Sequence, residues 1–248
     1  MKISLWVFLQ YAWGNRNEIA SHEGYADYLR RCPETYDLPA QIAKIKQTGC
    51  FTQQPGAPDL PRLPVHDKLL KKYGLDEIAG QGDAFERALR VMEWLTAHSC
   101  YNGMEIRACF LFQDRRETGD RLLRYSYDGG YRRAINCKHK AFVLRDCLMA
   151  AGISAVAVEL DFHFVVHAWL PEESRWVMLD PSMNSYITDS EGRALNLTDI
   201  KQHHCEEKAM HVAQYDFNGT QDCRDIYLDS FILCGLLNLK KLEGEHYA

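Results

Sequence analysis

Three residue types that together form a thiol nucleophile occur in order within residues 136–182 of this chain. Cys137 opens a pattern of helical apolar spacing. His163 and His167 both lie on the predicted strand that follows, and Asp180 stands at the end of the next predicted strand. Such a set can attack a carbonyl group, because an imidazole can take the thiol proton while a carboxylate orients the imidazole. The order therefore predicts a Cys-His-Asp centre for acyl transfer.

The helix that carries the cysteine is indicated by apolar residues spaced four, three, four and three positions apart, from Cys137 to Ala151. Gly152 follows at the position where a helix commonly ends in a left-handed residue. We expect Cys137 in the first turn, where unpaired N–H groups and the helix dipole favour a thiolate. A buried structural cysteine is the alternative interpretation, and Cys147 and Cys109 fit it.

The histidines and the aspartate are expected on one hairpin. Residues 162–170 and 175–179 read as strands joined by the four-residue turn PEES, which sets Leu170 opposite Arg175. In that register Asp180 lies diagonal to both histidines, so the pairing alone does not say which one is the base. The alternative for Asp180 is a turn residue that caps nearby N–H groups. Asp161 is a weaker competitor for its role.

The remaining elements indicate a mixed helical and stranded domain. Asp83 and Glu86 form the signature that starts a helix over about 84–98. The nearly apolar run 153–160 predicts a central strand buried on both faces. Two further short helices are expected, at about 118–127 and at about 197–202 with Asn196 or Thr198 as cap, and an apolar helix over 226–239.

A proline-rich stretch, PGAPDLPRLP, separates the first part of the chain from these elements. We therefore predict an N-terminal extension over residues 1–64 and a catalytic domain over 65–248. The first part carries no pattern that indicates a function.

Composition sets bounds on the functional class. The chain has 248 residues, of which 46% are apolar and 25% are charged, and a formal charge of −5, which argues against a nucleic-acid surface. No run is long enough to span a membrane, and the apolar start lacks a cleavage site, so we expect a soluble protein without a signal peptide. Nine cysteines without a C-x-x-C pair favour a reducing, cytoplasmic location over a disulfide framework or a zinc site. No metal or cofactor is expected.

Three segments resemble the transglutaminase-like superfamily: NCKHKAFVLRDCLMAAGI, HFVVHAW and RWVMLDPS. Members of that superfamily have a cysteine that opens a helix ending in Gly-Ile, then a histidine strand, then a Trp-x-x-x-Asp-Pro strand. The resemblance covers roughly residues 85–200. It implies an α+β, papain-like core in which the cysteine helix packs on an antiparallel sheet.

The resemblance also implies which histidine is the base. Similar bacterial members have it seventeen residues before the aspartate, which is His163 here, although HAW at His167 matches a common motif of the family. Val156 stands where the family often has arginine, and the zinc-binding cysteine pairs and calcium-site signatures of some branches are absent.

We therefore expect a thiol-dependent enzyme in which Cys137 attacks an amide or isopeptide carbonyl, His163 moves the proton and Asp180 orients His163. Water as the acceptor makes it a cysteine peptidase or amidase acting on a peptide or protein substrate. Two alternatives remain: transamidation with an amine acceptor, and a catalytically silent module that binds peptides.

Overall fold

The computed structural model describes residues 59–102, 118–160 and 163–216, together with Arg224, Tyr227, Leu228 and Phe231. Residues 1–58 of the predicted N-terminal extension, Asp161 and most of the predicted helix over 226–239 lie outside these residues. The division into two domains stays a prediction.

The described part contains six α-helices, one 3-10 helix and five strands. The helices are α1 (Pro64–Tyr73), α2 (Leu75–Ala79), α3 (Ala84–His98), α4 (Thr118–Ser126), α5 (Cys137–Ala150) and α6 (Leu197–Cys205), and the 3-10 helix spans Gly130–Arg133. The strands are β1 (Ala155–Glu159), β2 (Phe164–Leu170), β3 (Arg175–Leu179), β4 (Tyr186–Asp189) and β5 (Met210–Ala213). Helices beside antiparallel sheets make this an α+β arrangement, as predicted.

The hairpin of β2 and β3 has the predicted register. Leu170 is opposite Arg175, and the pairing continues to Val166 opposite Leu179. The turn residues 171–174 close on themselves through the backbone bond from Ser174 N–H to the Pro171 carbonyl, at 3.3 Å. His163 and Asp180 are therefore placed at the open end of this hairpin, one before β2 and the other directly after β3.

The prediction that residues 153–160 form a central strand of the sheet is wrong. In the described residues the sheet order is β1-β2-β3, so β2 is central and β1 pairs with β2 only. The burial that suggested a central strand is real, because Ala155, Val156 and Val158 are all buried. Packing on both faces, rather than pairing on both edges, produces the apolar run.

Two apolar clusters cover the two faces of this sheet. One contains Val166 and Ala168 of β2 together with the apolar residues of α3 and α5. The other contains Val165 of β2 and Trp176 of β3, and it extends to Tyr227 and Phe231. Because side chains alternate along a strand, odd-numbered residues of β2 face the second cluster.

Several helix boundaries follow their sequence signals. Helix α3 begins after Asp83, whose carboxylate accepts the Glu86 N–H at 2.8 Å. Helix α5 ends before Gly152, which has φ = +80°, and Asn196 is the cap of α6. One boundary differs from the prediction: Pro64, the last proline of the predicted linker, is the first residue of α1, where its missing N–H costs no hydrogen bond.

Within the residues described, no helix combines the length and the apolar character that a membrane span requires.

Candidate active site

The nucleophile candidate is the first residue of α5. Its N-cap, Asn136, accepts the His139 N–H at 3.1 Å and so fixes the start of the helix. Helix α5 packs against α1, α4, β1 and β2. Ala141, Leu144 and Leu148 of its predicted apolar stripe lie in the first cluster. Cys137 departs from that stripe: it is partly exposed and packs on the second cluster, on the side where His163 lies.

His163 and Asp180 form a buried pair. Their Nε2 and Oδ2 atoms are 2.7 Å apart, and both side chains are fully buried. The Cys137 side chain acts on His163 as well, since it helps to raise the pKa of this histidine. With Nε2 directed at the carboxylate, Nδ1 is the ring nitrogen left for the thiol. The three residues that the sequence singled out are thus brought together in one chain of contacts.

Asp180 combines the two roles that the sequence left open. Its Oδ1 accepts the Ser182 N–H at 2.8 Å, as expected of a turn aspartate. Its Oδ2 is the atom that contacts His163. The backbone of Asp180 is held as well, by paired bonds with Ser185 at 2.8 and 3.0 Å. The local turn therefore aims the second carboxylate oxygen at the imidazole.

Two aromatic residues near the end of the chain complete the surroundings of this pair. The Tyr227 hydroxyl donates to Asp180 Oδ2 at 2.8 Å. The Phe231 ring lies edge-on to the His163 ring, with centroids 6.4 Å apart. The sequence pattern predicts only an apolar helix over residues 226–239 here. The available signal was the hydroxyl of Tyr227, because a tyrosine in a buried stripe needs a hydrogen-bond partner.

The electrostatics favour a protonated His163. Burial alone would lower the pKa of His163, but the charge and hydrogen bond of Asp180, with the contact to Cys137, outweigh it and raise this pKa to about 10. Burial would likewise raise the pKa of Asp180, yet His163, Tyr227 and Ser182 together lower it. The buried Tyr227, beside this carboxylate, has a pKa well above its usual value and stays a hydrogen-bond donor.

His167 is in a different environment. It is fully buried in β2, opposite Met178 and Val156, and its ring is 6.1 Å from that of Trp176. Neither ring nitrogen has a hydrogen-bond partner among the residues described. Burial lowers the pKa of His167 to about 3, so the ring is neutral. The structure does not join this histidine to Cys137 or Asp180 by a hydrogen bond in its described part.

No group of three or more His, Cys, Asp or Glu side chains in the described ranges has the arrangement of a metal site. His203, His204 and Cys205 lie together in the last turn of α6, where successive side chains point in different directions.

Comparisons with known proteins returned nothing to set beside this geometry. No protein-family model, no curated protein and no solved structure matches the chain.

Proposed function

We propose that this protein is a thiol-dependent acyl-transfer enzyme with a transglutaminase-like, papain-like core, and that it hydrolyses an amide or isopeptide bond. One observation carries the proposal: a buried imidazole is hydrogen-bonded to Asp180 at 2.7 Å, and its pKa is raised further by the partly exposed Cys137. A thiol, a base and an orienting carboxylate in contact are the parts that nucleophilic catalysis requires.

In the first half-reaction the Cys137 sulfur attacks the carbonyl carbon of the substrate, and a C–S bond forms. His163, which holds the proton taken from the thiol, passes it to the leaving nitrogen as the C–N bond breaks. The backbone N–H of Cys137, at a helix start where intrahelical acceptors are absent, donates to the oxyanion. The product of this step is a thioester on Cys137 and a free amine.

In the second half-reaction water attacks the thioester. His163 accepts a proton from the water, the C–S bond breaks, and the carboxylic acid leaves while the thiolate is restored. Asp180 keeps the imidazole oriented throughout. Its Oδ2 also accepts a hydrogen bond from the Tyr227 hydroxyl, so the carboxylate cannot rotate without losing the bonds to both residues.

Product analysis tests the proposal. The purified chain is incubated with peptide libraries, with and without an added primary amine, and products are identified by mass spectrometry. Hydrolysis predicts new carboxyl termini that are lost in Cys137→Ala and kept in Cys147→Ala, the matched control for a buried cysteine of the same helix. Amine-linked products would instead indicate transamidation. Binding of peptides with no turnover and no thioester would contradict the proposal in favour of a silent module.

A further inference from the structure

Lys140 is a charged residue at a buried position of α5, the helix that carries the candidate nucleophile. It lies three positions after Cys137 on α5, about one turn along the same helix, and its exposed fraction is 0%. Side chains in a helix lean toward its N-terminus, so the stem of Lys140 runs back toward the end that bears the thiol.

The ammonium group of Lys140 is buried without a hydrogen-bond acceptor in the part of the chain that the structure describes. Taking such a cation out of water costs several kcal/mol unless anions nearby compensate it. Three side chains from other segments oppose this cost by raising the pKa of Lys140: Cys100 after α3 and two carboxylates, Asp180 after β3 and Asp216 after β5. One of these is the carboxylate that holds His163.

Charge balance gives this arrangement a role. A Cys137 thiolate, a His163 imidazolium and an Asp180 carboxylate carry a net charge of −1, which is costly in a poorly solvated site. One ammonium nearby makes the set neutral. The ammonium of Lys140 interacts strongly with these anions because little water lies between them to screen the charges.

We propose that Lys140 is a positioning residue of the Cys137 site, whose buried ammonium acts through Asp180 to keep the carboxylate and the thiolate ionised. This inference rests on the proposed function. It adds a fourth charged residue to the site, one that never needs to touch the substrate.

The role has a signature in pH. Without the ammonium, both anions take up protons at higher pH, so the acid limb of Cys137 reactivity moves upward. Burial, opposed by Cys100, Asp180 and Asp216, lowers the pKa of Lys140 itself to about 8. Above that pH the wild-type lysine is neutral too, so the effect of removing its charge must fade there.

The experiment measures the rate at which iodoacetamide alkylates Cys137 between pH 5 and pH 10, with the modified peptide quantified by mass spectrometry. Lys140→Met is expected to react about tenfold more slowly than wild type near pH 5 to 6, which corresponds to a shift of about one pH unit. The two profiles are expected to converge above about pH 9. Lys140→Arg, which stays charged, should keep the wild-type rate at low pH.

Lys138→Met is the matched control. Lys138 is also on α5 and is exposed, so loss of its charge is screened by water and salt and should change the rate less than twofold. A Lys140→Met profile that coincides with wild type, or that lies below it by the same factor at every pH, would overturn the inference. Should Lys140→Met fail to fold by circular dichroism, a Lys140→Arg rate at pH 5 to 6 well below that of wild type overturns it instead.

Failure of this inference is distinguishable from failure of the proposed function. If Cys137 in the wild-type protein reacts no faster than a free thiol and His163→Gln changes nothing, the proposed function fails. If His163→Gln slows the reaction and Lys140→Met does not, only the role of Lys140 is lost.

Discussion

Two histidines four residues apart, His163 directly before strand β2 and His167 within it, have pKa values shifted in opposite directions. His163 contacts Asp180 and Cys137, and its pKa is raised to about 10. His167 lies beside Trp176 without a hydrogen-bond partner in the described residues, and burial lowers its pKa to about 3. Both rings are buried to the same degree. The presence of a carboxylate partner, rather than burial, therefore decides which ring can hold a proton at neutral pH.

The most demanding test of this contrast compares the two histidines as bases. His163→Gln is expected to lower kcat by about 10⁴-fold, because the proton then has no positioned acceptor. His167→Gln should keep kcat within about tenfold of wild type, since neither ring nitrogen of His167 is hydrogen-bonded to the thiol or to any other described residue. Steady-state kinetics on the best substrate from the library screen measures both. Equal losses of kcat in the two variants would show that His163 has no special role as the base.

Removal of the carboxylate should make the environment of His163 more like that of His167. Asp180→Asn is expected to lower kcat by about 10³-fold, because the imidazolium loses its counter-charge and the ring its orientation. The pKa of His163 should fall from its raised value, which histidine side-chain NMR reports directly. A His163 signal that still titrates near pH 10 in this variant would show that Asp180 is not the cause of the shift.

The two histidines also predict opposite effects of pH on stability. An unfolded histidine titrates near 6.5. For His167, whose folded pKa lies below that value, the unfolded state binds more protons, so stability falls as the pH drops below about 6.5, by about 3 kcal/mol at pH 4. His167→Leu should remove most of this loss in urea unfolding at pH 7 and pH 4.

For His163 the effect of pH on stability has the opposite sign. Its folded pKa lies above 6.5, so its pairing stabilises the fold fully below about pH 6.5 and the contribution is lost as the pH rises toward 10. A His167→Leu variant should therefore keep the alkaline loss of stability. An unchanged acid loss in that variant would mean that other groups, not His167, produce it.

The smallest expected effect concerns the tyrosine that supports the pair. Tyr227→Phe removes the hydroxyl bonded to Asp180 Oδ2 and leaves the ring in place. Loss of one hydrogen bond to a charged group is worth about 1.5 kcal/mol, so kcat should fall about tenfold while the fold is kept. Phe231→Leu is the control, since it changes packing around His163 without a polar contact. A larger effect in the control would assign the role of Tyr227 to packing.

Much of this site followed from sequence because its signals are local. A four-residue turn fixes the hairpin register, and the register places His163 and Asp180 at one end of it. Helical spacing and Gly152 define the helix that begins at Cys137. These features depend on neighbours within a few residues, which is the range over which sequence patterns are informative.

Contacts between distant segments were not predictable in the same way. Tyr227 reaches Asp180 across 47 positions of sequence, and no periodicity encodes that approach. The pairing of β1 was misjudged because an apolar run indicates burial and not the number of strand neighbours. The choice between His163 and His167 likewise depended on a contact between distant segments, because it required knowing which ring lies near Cys137 in three dimensions.

Under the proposed function His163, and not His167, activates Cys137. The most direct test of this role is the rate of Cys137 alkylation by iodoacetamide at pH 6, mapped to the peptide, in wild type, His163→Gln and His167→Gln. We expect a fast wild-type reaction, a rate about a hundredfold lower in His163→Gln, and a rate within twofold of wild type in His167→Gln. A His163→Gln protein that reacts as fast as wild type would contradict it.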